Sequence, residues 1–340
     1  MAEVVIWGSG AIGGTIGAYL ARAGKDVLFV DIDAPHVAEI KANRLKIEGP
    51  IDSFTTGGPA VTPDAMSGQH PLILLAVKAH HTEQATRALA PHLAPNGMVV
   101  SCQNGLNELV IADIVGRERT IGAFVNFMAD YQEPGRILYG GRGAVVVGEL
   151  NGAHRPRIAA LHALLKIFDR DAVETDNIFG YLWGKAAYGT LLKTSALADE
   201  SIAGFIANPA WKRTTVALIQ EVLTVAAAAG VKPLGFNGFD PDAFARRDVA
   251  AIDMSLNALI DYNTHTAKSH SGVWRDIVVR KRRTDVAAQL GPVQTTARRH
   301  GLDTPLVDRL IAMIGDVEAG RRTVGAALFS ELRDHVEGRS

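Results

Sequence analysis

The stretch Val4-Val5-Ile6-Trp7-Gly8-Ser9-Gly10-Ala11-Ile12-Gly13 decides the fold, and its continuation to Asp31 completes one unit. Four apolar residues make a strand, the glycine-rich segment makes a turn, and a helix of small residues runs on to Ala23. A second strand, Val27-Leu28-Phe29-Val30, closes on Asp31. The three glycines have separate uses: Gly8 allows a sharp turn at the strand end, Gly10 lets the backbone approach a pyrophosphate, and Gly13 lets the new helix pack closely on the sheet. The helix N-terminus then offers N–H groups and positive partial charge to phosphate. Gly8, Ser9, Gly10, Ala11, Ile12 and Gly13 are therefore the candidate cofactor loop of a Rossmann-type, doubly wound α/β sheet.

Asp31 sharpens the expectation. A carboxylate at the end of the second strand accepts hydrogen bonds from a ribose 2′-OH and repels a 2′-phosphate, so the expected cofactor is NAD rather than NADP. The competing use of Asp31 is local, as a cap on the turn that holds Asp33.

A chain of 340 residues exceeds the length over which one core keeps growing, so two domains are the default. The net charge is −1, and Lys and Arg are scattered apart from Arg280-Lys281-Arg282-Arg283, which argues against a nucleic-acid partner. The single cysteine, Cys102, has no internal disulfide partner and reads as buried and inert among apolar neighbours. No apolar run approaches the ~18 residues of a membrane span, and the chain enters its first strand without a charged and then apolar leader. These features lead us to expect a reducing, cytoplasmic setting and no membrane partner. His265 and His270 lack a cysteine or second acidic partner at ligand spacing, so no metal site is expected.

Beyond Asp31, helical spacing covers Ala34 to Asn43, and a hairpin is expected from Leu45-Lys46-Ile47 with Ser53-Phe54-Thr55. The continuous apolar run Pro71 to Val77 suits a parallel strand buried on both faces, with Lys78 at its carboxyl end, where ligands lie in an open α/β sheet. A helix over Thr82 to His92 and a strand over Gly97 to Cys102 follow. That strand ends in Gln103-Asn104-Gly105, which puts Asn104 at the same sheet edge as Gly8 and Lys78; Asn104 also suits a left-handed turn position. Further strands are expected at Thr120 to Phe127, Arg136 to Tyr139, Ala144 to Val147 and Ala172 to Glu174. Turns are expected at Ala129 to Gly135 and Gly140-Gly141, and a helix at Arg155 to Phe168. From Asp176 the texture changes to helical periodicity: Ile178 to Ala198, Pro209 to Gly230, Pro241 to Thr266, Thr284 to Gly301, Thr304 to Gly320 and Thr323 to Val336. The domains expected are thus a dinucleotide-binding one over 1–175 and a helical one over 176–340 for substrate and dimerisation. The apolar run Val222 to Ala229 reads first as core and second as a homodimer contact.

On Gly8 to Gly13, Val77-Lys78-Ala79, Gln103-Asn104-Gly105, Leu182-Trp183-Gly184-Lys185 and the tail from Arg275-Asp276-Ile277 through Arg282-Arg283-Thr284-Asp285 to His300-Gly301-Leu302-Asp303-Thr304-Pro305, the chain resembles the ketopantoate reductase family over nearly its full length. The resemblance implies an N-terminal Rossmann domain followed by an all-helical C-terminal domain, and hydride transfer between a nicotinamide and a 2-oxo acid. It implies that Lys185 is the lysine that protonates the nascent alkoxide, or takes the proton back in oxidation. Developing charge on oxygen needs a proton or a cation within hydrogen-bond reach, and an ammonium supplies both. It also implies that Lys78 and Asn104 lie beside the cofactor, that a serine near Ser271 or Gly272 meets the substrate carboxylate, and that Asp285 contacts the ligand region.

The sequence departs from the family where ketopantoate reducers carry two asparagines, one and two turns after the lysine. Here those positions are Gly189 and Lys193, on the same helix face as Lys185. Gly189 is expected to make room for a substrate bulkier than ketopantoate. Lys193 is expected to meet an additional substrate carboxylate or hydroxyl, or to act on Lys185 by like-charge repulsion. The expected activity is that of an NAD-dependent 2-hydroxyacid dehydrogenase or 2-oxoacid reductase acting on a small-molecule 2-oxo or 2-hydroxy acid. NADPH-dependent 2-dehydropantoate 2-reductase is the enzymatic alternative, and a non-catalytic dinucleotide redox sensor is the alternative of another class.

Overall fold

The structure, a computed structural model, describes residues 2–266 and 269–338. The chain divides into two compact units, Met1–Ile178 and Phe179–Ser340.

The first unit is built on β1 (Val4–Trp7), α1 (Ala11–Arg22), β2 (Val27–Val30), α2 (Ala34–Asn43), β3 (Leu45–Glu48), β4 (Phe54–Thr56), β5 (Ala60–Val61), β6 (His70–Leu75), α3 (Thr82–Leu89), β7 (Leu93–Ser101), α4 (Asn107–Val115), β8 (Thr120–Val125), β9 (Met128–Glu133), β10 (Arg136–Gly141), β11 (Val145–Glu149), α5 (Pro156–Phe168) and β12 (Val173–Glu174). Eight strands form one sheet in the order β12-β11-β8-β7-β6-β1-β2-β5. All neighbours in it are parallel except β8 and β11. The apolar runs expected to be buried on both faces behave so: Val4 and Ile6 join a core on one side of the sheet, Val5 and Trp7 a core on the other. Side chains alternate across a strand, and only a sheet covered on both faces buries consecutive residues in this way.

Strand order reverses between β1 and β6, the switch point at which an open α/β sheet leaves a crevice beyond its carboxyl ends. A second, four-stranded sheet, β4-β3-β10-β9, packs against α1. Its edge strand β9 covers most of Ala129 to Gly135, where polarity suggests a turn. The residues 128–131 are half-buried and 132 and 133 exposed, so they show little of the apolar alternation that marks a strand.

The second unit is helical: α6 (Ile178–Leu197), α7 (Ile202–Ala207), α8 (Pro209–Ala228), α9 (Pro241–Ala245), α10 (Val249–Thr264), α11 (Gly272–Trp274) continued by a π turn over Arg275–Val279, α12 (Val286–Arg299), α13 (Pro305–Glu318) and α14 (Ala326–Glu337). The helix expected over Pro241 to Thr266 is two helices. Arg247 adopts a left-handed backbone (φ 57°) between them, and Asp248 caps α10 by accepting from the Ala251 N–H. In the run Val222 to Ala229, residues Val222, Leu223, Val225 and Ala226 are core. Phe205 stacks on Trp211, and Phe329 meets both edge-on. The basic run near the tail is partly spent internally: Arg280 and Arg282 bind the buried Asp276 carboxylate, with the Arg282 Nη2 at 2.8 Å. No described helix is long and apolar enough to cross a membrane.

Candidate functional site

In the first unit the site forms where the loops leave the sheet. Gly8 holds φ +95°, and a side chain there would stand 2.9 Å from the backbone of Ala76 and Val77. A Cβ on Gly13 would lie 2.1 Å from the Gly8 carbonyl oxygen, so only glycine lets α1 start this close to β1. Gly10 is different. It is the N-cap residue of α1, no side chain caps that end, no acidic residue lies in its first turn, and a Cβ on Gly10 would meet nothing within 4 Å among the described residues. The helix thus presents N–H groups to open space with no side chain competing for them, the setting that suits a pyrophosphate.

Asp31 serves the local use expected of it, as a cap on the turn that holds Asp33. One carboxylate oxygen accepts from the Asp33 N–H at 3.0 Å, and the other faces the Ser9 hydroxyl at 3.4 Å. Asp33 in turn accepts from the Tyr131 hydroxyl at 2.8 Å, and this carboxylate together with burial raises the Tyr131 pKa. Both carboxylates just beyond β2 are thus held in place by hydrogen bonds. Ile32, between them, is 72 % exposed, an apolar face that suits a flat ring. Sequence alone gives no sign of His36, which is buried and joins the glycine turn after β1 to the second sheet. The Gly135 N–H donates to its Nδ1 at 2.9 Å, so its Nε2 carries the proton that it donates to the Ser9 carbonyl at 2.9 Å.

Lys78 is exposed beyond β6, and Asn104 is exposed beyond β7. The left-handed residue of that second loop is Gly105 (φ +98°), not Asn104, so backbone conformation does not account for asparagine at 104. Gln103, given no role by its place in the sequence, ties the two loops together. Its Nε2 donates to the Val77 carbonyl at 2.9 Å and to the Thr82 hydroxyl at 2.8 Å, while the Asn107 side chain donates to the Asn104 carbonyl at 2.7 Å. Cys102 is buried, and burial beside Glu108 pushes its thiol up to about 12, so it is no nucleophile at neutral pH.

In the second unit Lys185 lies half-buried on α6. The loop 232–239 docks one turn before it: the Leu234 N–H donates to the Gly180 carbonyl at 2.8 Å, and a Cβ on Gly184 would stand 2.1 Å from the Leu234 oxygen. Two turns on, Lys193 is only 4 % exposed. Its ammonium reaches back along the helix, donating to the Gln289 Oε1 at 2.9 Å and to the Gly189 carbonyl at 3.3 Å. Burial pushes its pKa down to about 8, against the opposing pull of Asp285. Asp285 is buried at the start of α12, yet its side chain caps no N–H there; Thr284 does, accepting from the Val286 N–H at 3.2 Å. Ser271 is buried and its hydroxyl accepts from the Trp274 N–H at 3.2 Å, so it serves as a helix cap, whereas a Cβ on Gly272 would meet nothing within 4 Å among the described residues. His265 is exposed and His270 is half-buried.

The family model for ketopantoate reductase PanE/ApbA matches residues 4–152, and that for the C-terminal part of the same enzyme matches residues 177–318. The chain belongs to the ketopantoate reductase family. Ketopantoate reductases are NAD(P)-dependent oxidoreductases acting on 2-oxo acids. A 2-dehydropantoate 2-reductase of Streptococcus pyogenes is 24 % identical over 318 residues, covering 93 % of this chain and 98 % of that one. One of Pyrococcus abyssi is 33 % identical over 190 residues, covering 54 % of this chain and 60 % of its own length. Among solved structures, a PanE/ApbA family ketopantoate reductase from Ralstonia eutropha superposes with a TM-score of 0.77 at 24 % identity, covering 94 % of this chain and 99 % of that one. A D-mandelate dehydrogenase with NADH and anilino(oxo)acetate gives 0.79 at 22 %, with the same coverage.

Proposed function

We propose that the chain is an NAD-dependent oxidoreductase that interconverts a 2-oxo acid and its 2-hydroxy acid, with Lys185 as the general acid of reduction and the general base of oxidation. The observation that carries the cofactor preference is the pair of oriented carboxylates, Asp31 and Asp33. A ribose bearing a free 2′-OH donates to such a carboxylate, whereas a 2′-phosphate beside it adds like charge and lowers affinity. Pyrophosphate fits the uncapped start of α1 above Gly10, and Ile32 offers its exposed face to the adenine.

When bound, the reduced nicotinamide supplies a hydride to the carbonyl carbon. The carbonyl π pair moves onto oxygen, and the Lys185 ammonium delivers its proton there, leaving a neutral amine that solvent reprotonates. Lys78, Asn104, Ser271 and Asp285 enter the proposal as binding groups: Lys78 and Asn104 for the cofactor, Asn104, Ser271 and Asp285 for the substrate.

A second reading, NADPH-dependent reduction of ketopantoate, is favoured by the activity named for the relatives in Streptococcus pyogenes and Pyrococcus abyssi. Steady-state turnover of a panel of 2-oxo acids, ketopantoate included, with NADH and with NADPH separates the two. Our reading expects a higher kcat/KM with NADH and a best substrate other than ketopantoate. Ketopantoate with NADPH as the fastest pair would overturn it in favour of the second reading. Turnover of no acid in either direction would overturn both.

A further inference from the structure

The place where Lys193 puts its charge narrows the substrate class. Residues 185, 189 and 193 share one face of α6, at successive turns. Lys193 does not extend away from that face; its Nζ folds back to the Gly189 carbonyl. A Cβ on Gly189 would find this Nζ at 3.1 Å and no other atom within 4 Å among the described residues. Gly189 therefore does not simply leave a void: the space that its missing side chain vacates is bordered by an ammonium. The charge of residue 193 has been moved one turn toward Lys185, to within about 5–6 Å along the helix axis.

The ammonium is also incompletely served. It has three N–H donors, and among the described residues two acceptors reach them, a neutral amide oxygen and a backbone carbonyl. Asp285 acts on it electrostatically, but burial outweighs that pull. A buried cation is costly unless paired, and a third donor with no acceptor among the described residues is a ready place for an anion.

We propose that Lys193 holds a second carboxylate of the substrate, so that the chain acts on four- or five-carbon 2-oxo dicarboxylates. The inference rests on the assignment of Lys185 as the proton donor. With the reacting carbonyl at Lys185, a distal carboxylate two or three bonds beyond, at roughly 1.5 Å per bond, comes to the ammonium over Gly189. The selectivity is electrostatic: a monocarboxylic acid of equal length puts a methyl group against a buried charge.

The test compares 2-oxoglutarate with 2-oxopentanoate, and separately the binding of glutarate and valerate by calorimetry in the presence of NAD. The parent protein is expected to favour each dicarboxylate by about 10- to 100-fold, the span of one charge-assisted hydrogen bond. Lys193→Met is expected to erase that preference in both assays. Gly189→Ala adds a methyl group that crowds the ammonium without touching other side chains, and is expected to weaken the preference in a chain that folds at least as well as the parent. Equal use of the two oxo acids by the parent, or a preference that survives in Lys193→Met, would overturn the proposal. Should no oxo acid be reduced, the reaction assigned to Lys185 falls, and the calorimetry still decides: glutarate binding lost in Lys193→Met supports the dicarboxylate site, and no glutarate binding refutes it.

Discussion

Gly10 and Gly13 stand three residues apart in the same turn, yet the structure predicts opposite consequences for the same added methyl group. On Gly13 the Cβ would lie 2.1 Å from the Gly8 oxygen, 2.9 Å from the Ile6 Cγ2 and 3.0 Å from the Ala76 Cβ. Restoring ordinary contact requires α1 to retreat by about 1 Å from the strand it packs on. Overpacking of this kind costs roughly 1–3 kcal/mol, which in a unit of this size lowers Tm by about 2–12 °C. On Gly10 the methyl group meets nothing within 4 Å among the described residues, and the backbone there (φ −70°, ψ −153°) is open to alanine. Gly10→Ala should therefore melt within a few degrees of the parent, the loss of a glycine N-cap being worth about 1 kcal/mol at most. It should nevertheless bind NADH at least about tenfold more weakly, because the methyl group fills the space that the pyrophosphate needs. Differential scanning calorimetry and NADH titration by fluorescence on both variants provide the assay. Unchanged NADH affinity in Gly10→Ala would refute the placement of the pyrophosphate, and an unchanged Tm in Gly13→Ala would refute the packing argument.

Asp31→Asn removes the charge but keeps the size; it should raise kcat/KM for NADPH relative to NADH by about tenfold or more, measured as a ratio on one substrate. Lys193 predicts an alkaline effect of definite sign. Its folded pKa of about 8 lies below the ordinary 10.5, so between those values the unfolded chain binds more protons and the folded state gains stability as pH rises. Lys193→Met should accordingly be more stable than the parent at neutral pH, by up to roughly 3 kcal/mol, with the gap closing toward pH 10. Denaturant midpoints of both proteins across that range provide the check, and a gap that widens with pH would contradict it.

Much of the fold is legible in the sequence, and the exceptions share a cause. The strands β1, β2 and β6 are continuous apolar runs because both faces of the sheet are covered, and the turn after β1 carries glycine where φ is positive or where a helix approaches too closely for a Cβ. Features set by neighbours distant in sequence were not legible. Strand β9 is a polar edge that exists through pairing with β10, and the break between α9 and α10 falls at Arg247 with no glycine or proline to announce it. His36 and Gln103 owe their roles to carbonyls, an amide N–H and a hydroxyl 21 to 99 residues away. On α6 the spacing of Lys185, Gly189 and Lys193 is visible in the sequence, but not that the ammonium of the last doubles back to border the space beside the second.

In the proposed reaction Lys185 is the group that gives a proton to the carbonyl oxygen. Single-turnover oxidation of prebound NADH by the best 2-oxo acid, comparing the parent with Lys185→Ala, tests this directly. We predict that NADH binds both proteins equally and that the hydride-transfer rate in the variant falls at least about 100-fold. A rate within twofold of the parent would contradict the assignment.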